Sequence, residues 1–199
     1  MQTDMTVGKP MKMILDFTIP VFIGNVFQQF YNMADAIIVG KFVGTKGLAA
    51  VGSTGTIMFL IIGFLMGLTA GFTVLTSQKF GAGKMDEMRQ SVGNAALLSI
   101  IISVIMTAVS MVGMHPLLTL MHTPEDIFQD AYTYIMIICG GIFAQVLYNI
   151  LASILRALGN SKTPLYFLIL AALLNIVLDL TFIIVFHMGV AGAARATIT

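Results

Sequence analysis

The distribution of charged residues limits what this chain can fold into. The segment between Lys46 and Lys79 contains 32 uncharged residues, and the segment between Arg89 and Glu125 contains 35. Roughly 20 apolar residues suffice to cross a bilayer as an α-helix. Both segments are therefore long enough to span a membrane.

Three further segments are almost free of charge. Residues 13–40 contain two charged side chains, residues 131–155 contain none, and residues 163–194 contain only Asp179. Charged residues make up 10% of the chain, against about 25% in a soluble domain. We therefore predict an all-α polytopic membrane protein, a bundle of five complete transmembrane helices and the start of a sixth. The predicted helices cover residues 13–39, 48–77, 91–114, 124–157 and 164–186.

The sixth predicted helix begins near Gly189. It has 11 residues up to Thr199, about half the length that a crossing needs. We therefore expect the chain to stop inside its sixth span. The predicted loops are short, so no soluble domain fits between the spans and all the chemistry lies in or beside the membrane.

Several function classes are not supported. A net charge of +1 offers no basic surface for nucleic acid. Cys139 is the only cysteine, which rules out an intramolecular disulfide and a multi-cysteine metal site. The segment at Lys84 is similar to a phosphate-binding loop but has Gln78 in place of the first glycine and Met85 in place of Ser or Thr. We predict neither an enzyme nor an ATP-driven pump, and no organic cofactor.

The Lys and Arg residues predict the orientation. Seven of them fall on one side of the membrane and two on the other, which places the N-terminus in the cytoplasm. A cleaved signal peptide is the competing interpretation of residues 1–36, but residues 28–32 are too polar for its core. The seven are Lys9, Lys12, Lys79, Lys84, Arg89, Arg156 and Lys162, and the two are Lys41 and Lys46.

Polar residues within the spans are the candidates for function. Asn25, Gln28, Asn32 and Asp35 recur at helical spacing on one face of the first span, and this face should point into the bundle or a wet cavity. Alternatively, Asp35 simply reaches the interface near the outer end of its span.

Asp179 lies well inside the fifth span, one turn after Asn175. An unpaired carboxylate there costs at least about 2.5 kcal/mol of insertion energy, which indicates a function. Gln145 and Asn149 form a second polar stripe in the fourth span, where such amides serve equally well to join helices. Three glycines at four-residue intervals in the second span, residues 63, 67 and 71, predict a helix-packing face.

Five strings together resemble the multidrug and toxic compound extrusion (MATE) transporters. They are YNMADAIIVGKFVGTKGLAAVG around Asp35, QKFGAGKMDEMRQ after the second span, ILRALGNSKTP after the fourth, NIVLDLTFI around Asp179, and MGVAGAARAT. The resemblance runs the length of the chain. It implies twelve helices in two six-helix lobes, with residues 1–199 forming the first lobe, ending inside helix six, and the second lobe absent.

The resemblance implies a secondary active antiporter of the cytoplasmic membrane. Such a protein exports amphipathic, mostly cationic drugs or toxic compounds in exchange for protons or sodium, and one lobe alone should not transport. The implied cation site comprises Asp35, Asn175, Asp179, Thr197 and Asn149. The two carboxylates would bind the metal if the ion is sodium. Residues that would line the substrate cavity are Asn25, Gln28, Asn32 and Gln145.

Two alternatives remain from the sequence. A flippase for lipid-linked saccharides belongs to the same superfamily, but its polyanionic cargo would favour basic residues facing the cavity. A membrane scaffold that does not transport would use the glycine face for assembly, but it gains nothing from an acid such as Asp179 inside the membrane.

Overall fold

The computed structural model describes residues 10–199, and within them the chain is helical apart from short turns. Lys9, which entered the charge count, lies outside the described residues. A short π-helix, Thr181–Val185, directly continues the sixth helix. The α-helices are α1 (Pro10–Phe42), α2 (Thr45–Gly81), α3 (Met85–Leu120), α4 (Glu125–Gly140), α5 (Ile142–Ala157), α6 (Lys162–Leu180) and α7 (Gly189–Ile198).

The helices account for five membrane crossings. In the described residues, α1, α2, α3, and α6 with its π-helix are each long and apolar enough to cross a membrane. The pair formed by α4 and α5 meets the same test as one span bent by 48°. The predicted fold, five spans and a sixth helix from Gly189, is confirmed.

The prediction of one continuous helix over residues 124–157 is wrong in its middle. Helix α4 ends at Gly140 and α5 begins at Ile142. Two adjacent glycines have no Cβ atoms to limit their backbone, so they favour a break in a helix. The amide of Gly141 donates to the carbonyl of Ile138 at 2.9 Å, which tightens the last turn of α4 before the chain bends.

The helices extend further than the apolar segments suggested. Helix α3 begins at Met85, six residues before its predicted start, and the predicted loop 78–90 is reduced to a three-residue turn. Asp86 and Glu87 lie in the first turn of α3, where negative charge stabilises the helix dipole. Gly83 has a φ angle of 71°, a conformation that glycine adopts without strain. Hydropathy marks the part of a helix that lies in hydrocarbon, whereas the helix itself continues to the next turn residue.

Helix α4 is the central element of the bundle, because it contributes to both apolar clusters. One cluster joins α4 to α2, α3 and α5, and includes Leu65, Leu118 and Ile135. The other joins α4 to α1, α7 and the π-helix, and includes Val39 and Ile138. In each of the other four spans, only 11 to 22% of the most apolar 18-residue stretch is buried within the described bundle. They expose large apolar side chains outward, as expected for contact with lipid.

The glycine face of α2 does not pack within the described bundle. A Cβ atom built on Gly63, Gly67 or Gly71 would meet no atom within 4 Å. The described helices therefore do not use the predicted packing face, because the three glycines point away from the described neighbours of α2.

A side chain of the preceding turn caps the start of α6. The side-chain carbonyl of Asn160 accepts the amide N–H of Thr163 at 3.1 Å, and its side-chain nitrogen donates to the hydroxyl of Thr163 at 2.9 Å. These bonds satisfy one of the four free amides that every helix start leaves without a partner.

We predict that Asn160→Ala destabilises the protein by about 1 kcal/mol, because the freed amide of Thr163 loses its acceptor. Asn160→Asp is the matched control, since it keeps an acceptor oxygen at the same place. Thermal unfolding in detergent measures both variants. Equal stability of the alanine and aspartate variants would contradict the assigned cap.

Candidate ion site

Asp179 is an acid enclosed by the bundle. Its side chain is 0% exposed, and neither carboxyl oxygen has a hydrogen-bond partner among the described residues. Asn175 lies one turn earlier on α6 and is 6% exposed, with both side-chain polar atoms also unpartnered there. Buried polar groups are almost always paired in folded proteins. This cluster therefore has unused capacity for a ligand.

Asp35 brings a second carboxyl group to the same place. It lies near the C-terminal end of α1, and its carboxyl group adjoins that of Asp179 although 144 positions separate the two residues. Its Oδ1 atom is also buried without a partner in the described chain. Two carboxyl groups at such close range bind a proton or a cation as a pair.

Three hydroxyl groups, one each from α7, α1 and α4, lie near one another. The hydroxyl of Thr197 donates to the backbone carbonyl of Ala193 at 2.9 Å, which leaves its lone pairs free. The hydroxyl groups of Tyr31 on α1 and Tyr134 on α4 adjoin Thr197. Four helices thus converge on one point.

Sequence reasoning missed both tyrosines. Tyr31 precedes Asp35 by one helical turn, so the same periodicity that selected Asp35 could have found it. Tyr134 carries no comparable signal, because it lies among apolar residues of α4 where an aromatic ring normally packs in a core. Its hydroxyl becomes informative only once α7 is known to pack on α4.

The arrangement favours binding of a small, hard cation. Sodium prefers the oxygen ligands that hard cations share, and here two carboxylates, an amide carbonyl and a hydroxyl lie together. The same carboxyl groups can instead take up a proton, since burial disfavours two negative charges side by side. The geometry thus fits either ion.

Asn149 on α5 forms a hydrogen bond within its own helix. It is 8% exposed, and its side-chain nitrogen donates to the backbone carbonyl of Gln145 at 2.9 Å. Helix α5 packs mainly on α2 and α3, and less extensively on α6, which carries Asp179 and Asn175. Gln145 is half-buried.

The remaining polar residues of α1 face outward from the described bundle. Asn25 and Asn32 are exposed, and Gln28 is half-buried. A lipid-facing position would leave these amides without partners, at a cost of several kcal/mol each in hydrocarbon.

Comparison with known proteins agrees with this fold. The MatE family profile matches residues 20–181. The chain belongs to the MatE family. It is 35% identical over 195 residues to "Probable multidrug resistance protein YpnP" of Bacillus subtilis, covering 98% of this chain and 44% of that protein. It is 28% identical over 193 residues to "Probable multidrug resistance protein NorM" of Thermotoga maritima, covering 94% of this chain and 41% of that protein.

A solved structure extends the comparison to three dimensions. The chain superposes on the outward-facing conformation of a multidrug resistance MATE family transporter with a TM-score of 0.91 and 32% identity. The match covers 96% of this chain and 42% of that one. The chain therefore has the fold of a multi-pass MATE membrane transporter and spans less than half the length of the relatives that it matches.

We predict that Asp35 and Asp179 of this MatE chain bind an ion as one unit. Because the carboxyl groups adjoin, Asp35→Asn and Asp179→Asn should each remove most of the binding that the double variant removes. Sodium and proton uptake by the purified full-length single and double variants measure this. Additive losses, with each single variant retaining half of the binding, would indicate two independent sites.

Proposed function

We propose that this chain is the first lobe of a two-lobe antiporter that exports amphipathic, mostly cationic compounds in exchange for protons or sodium. The observation that carries the proposal is the adjacent pair of carboxyl groups, the half-buried Asp35 and the fully buried Asp179, with no donor to Asp179 among the described residues. Acids in such positions mark ion and proton pathways. The names of the relatives support export of drugs as the task.

The exposed amides of α1 support a water-filled cavity beside this pair. Asn25 and Asn32 have no place against lipid, but a polar cavity between two lobes would hydrate them. Such a cavity, together with Gln28 and Gln145 at its margin, is the place where we expect the substrate. This cavity would give both the carboxyl pair and the substrate access to the same compartment.

The energy available limits what the exchange can achieve. One proton entering down about 100 mV releases about 2.3 kcal/mol, and one pH unit adds about 1.4 kcal/mol. A neutral substrate could then reach a gradient of a few hundredfold, at about 1.4 kcal/mol per tenfold. When a monovalent cation leaves as a proton enters, the charge terms cancel and only about tenfold remains.

A flippase for anionic lipid-linked cargo remains the second candidate. It would need basic residues facing the cavity, but the polar groups at the site are acids and amides. Arg156 lies at the end of α5, where its guanidinium donates to the hydroxyl of Ser153 at 3.0 Å. A membrane scaffold that does not transport would have no function for the buried acid Asp179.

We predict that Asp179→Asn in the two-lobe protein abolishes efflux of ethidium, an amphipathic monovalent cation, driven by a proton or sodium gradient. The substitution keeps the shape of the side chain and removes its charge. Membrane expression should stay near normal, because neutralising a buried unpaired acid removes an unfavourable burial.

Asp16→Asn is the matched control, since Asp16 is an exposed acid on α1. This variant should keep gradient-driven efflux. Unchanged efflux by the Asp179 variant would refute the assignment of this acid to coupling.

A separate prediction concerns orientation, with the turn between α2 and α3 in the cytoplasm. In a Cys139→Ala background, an impermeant thiol reagent outside intact cells should label Lys46→Cys and spare Lys84→Cys. Both lysine side chains are well exposed, at 69% and 57%, so accessibility alone does not separate them. Labelling of position 84 from outside would reverse the proposed topology.

A further inference from the structure

A close contact joins the end of α7 to the bend between α4 and α5. A Cβ atom built on Gly141 would lie 2.7 Å from the Cβ atom of Ile198 and would also overlap its Cγ2 atom. Real Cβ atoms do not approach each other this closely, and the obstructing atoms belong to the rigid base of a β-branched side chain. Only glycine at position 141 admits Ile198 in its observed place.

The neighbouring glycine has no such role. A Cβ atom on Gly140 would meet only the flexible end of Met111, at an ordinary distance of 3.9 Å. Gly140 is also exposed, whereas Gly141 is buried. The two glycines therefore share the bend but differ in the contact, which makes them a matched pair for experiment.

The contact lies directly beside the ion site. Ile198 follows Thr197 in α7, and Gly141 lies two helical turns after Tyr134 in the span formed by α4 and α5. Since the hydroxyl of Tyr134 adjoins that of Thr197, both contacts join the same two segments. The contact of Ile198 with Gly141 thus helps to set the position of Thr197 relative to Tyr134.

A second close approach restricts α7 on its other side. A Cβ atom on Gly192 would lie 3.1 Å from the Cβ atom of Phe182 and 3.2 Å from its backbone carbonyl carbon. Phe182 belongs to the π-helix that follows Asp179. Helix α7 is therefore held between the π-helix and the bend at Gly141, and Thr197 precedes the residue that contacts Gly141.

We propose that Gly141 is a positioning residue of the ion site, which acts through Ile198 to hold the hydroxyl of Thr197 between Tyr31 and Tyr134. The role of this hydroxyl as an ion ligand rests on the proposed antiport. The placement of Thr197 itself does not, and it can be measured without any transport.

The first experiment measures placement in the full-length protein. Cysteines replace Tyr134 and Thr197 in a Cys139→Ala background, and a short bifunctional thiol reagent cross-links them in membranes. Gly141→Ala should lower the cross-linking yield severalfold, because the added methyl group displaces Ile198 and with it α7. Gly140→Ala should leave the yield unchanged. No loss in the Gly141 variant, or an equal loss in the Gly140 variant, would overturn the proposal.

A glycine exchange guards against a general folding defect. Ile198→Gly removes both obstructing atoms and should by itself lower the cross-linking yield, because α7 loses its contact. Gly141→Ala combined with Ile198→Gly should restore a yield above that of either single variant, since the methyl group now occupies the vacated space. If the double variant instead loses as much cross-linking yield as the two single variants together, a direct contact between the two residues is contradicted.

The second experiment separates this proposal from the antiport. In the protein without added cysteines, Gly141→Ala should raise the sodium or proton concentration that gives half-maximal ethidium efflux severalfold, with a smaller effect on the maximal rate. If Gly141→Ala reduces cross-linking but leaves the ion dependence unchanged, Gly141 positions Thr197, and Thr197 is refuted as an ion ligand. Unchanged cross-linking, in a protein whose efflux still needs Asp179, would refute the positioning and leave the antiport intact.

Discussion

The packing of α4 against two apolar clusters is the constraint on which the rest of the bundle depends. In a bilayer the helices gain little from the hydrophobic effect, because lipid tails are as apolar as leucine, so close van der Waals contact must hold them. Helix α4 makes such contact with α2, α3 and α5 in one cluster and with α1 and α7 in the other. Helix α4 contributes buried residues to both clusters, and the half-buried Met58 of α2 also packs against both. A shift of α4 would move both clusters and the hydroxyl of Tyr134.

The bend after α4 connects this packing to the chemistry. The bend lies at Gly141, the glycine that Ile198 of α7 approaches most closely. The glycine at 141 leaves room for Ile198, and the small side chains of α7 let that helix lie deep between α4 and the π-helix. Buried alanines and Gly192 line α7, as small residues do wherever membrane helices approach closely. The candidate ion site thus lies where the backbone, rather than a large side chain, determines the spacing.

Different parts of this architecture were accessible to sequence reasoning to different degrees. The number of spans followed from uncharged length, because every crossing needs the same minimum of apolar residues. Asp35 and Asp179 could be predicted because an acid inside a span contradicts its surroundings. The break at Gly141, the π-helix after Asp179 and the outward face of Gly63 could not be predicted. Each depends on which helix lies opposite, and periodicity within one helix carries no information about its neighbours.

The same distinction explains why Tyr134 was missed and what the acid pair can do. An acid in a membrane is conspicuous in any bundle, whereas a tyrosine acquires a role only from the partner that its hydroxyl meets. At this site the acids lie on α1 and α6, one hydroxyl on α7 and another on α4, so no single helix contains a complete set of ligands. A bound ion would contact several helices and stabilise the arrangement that brings them together, by as much as it binds that arrangement more tightly than any other. In the proposed antiport, this differential affinity is the physical link between occupancy of the carboxyl pair and the relative positions of the helices that line the substrate cavity.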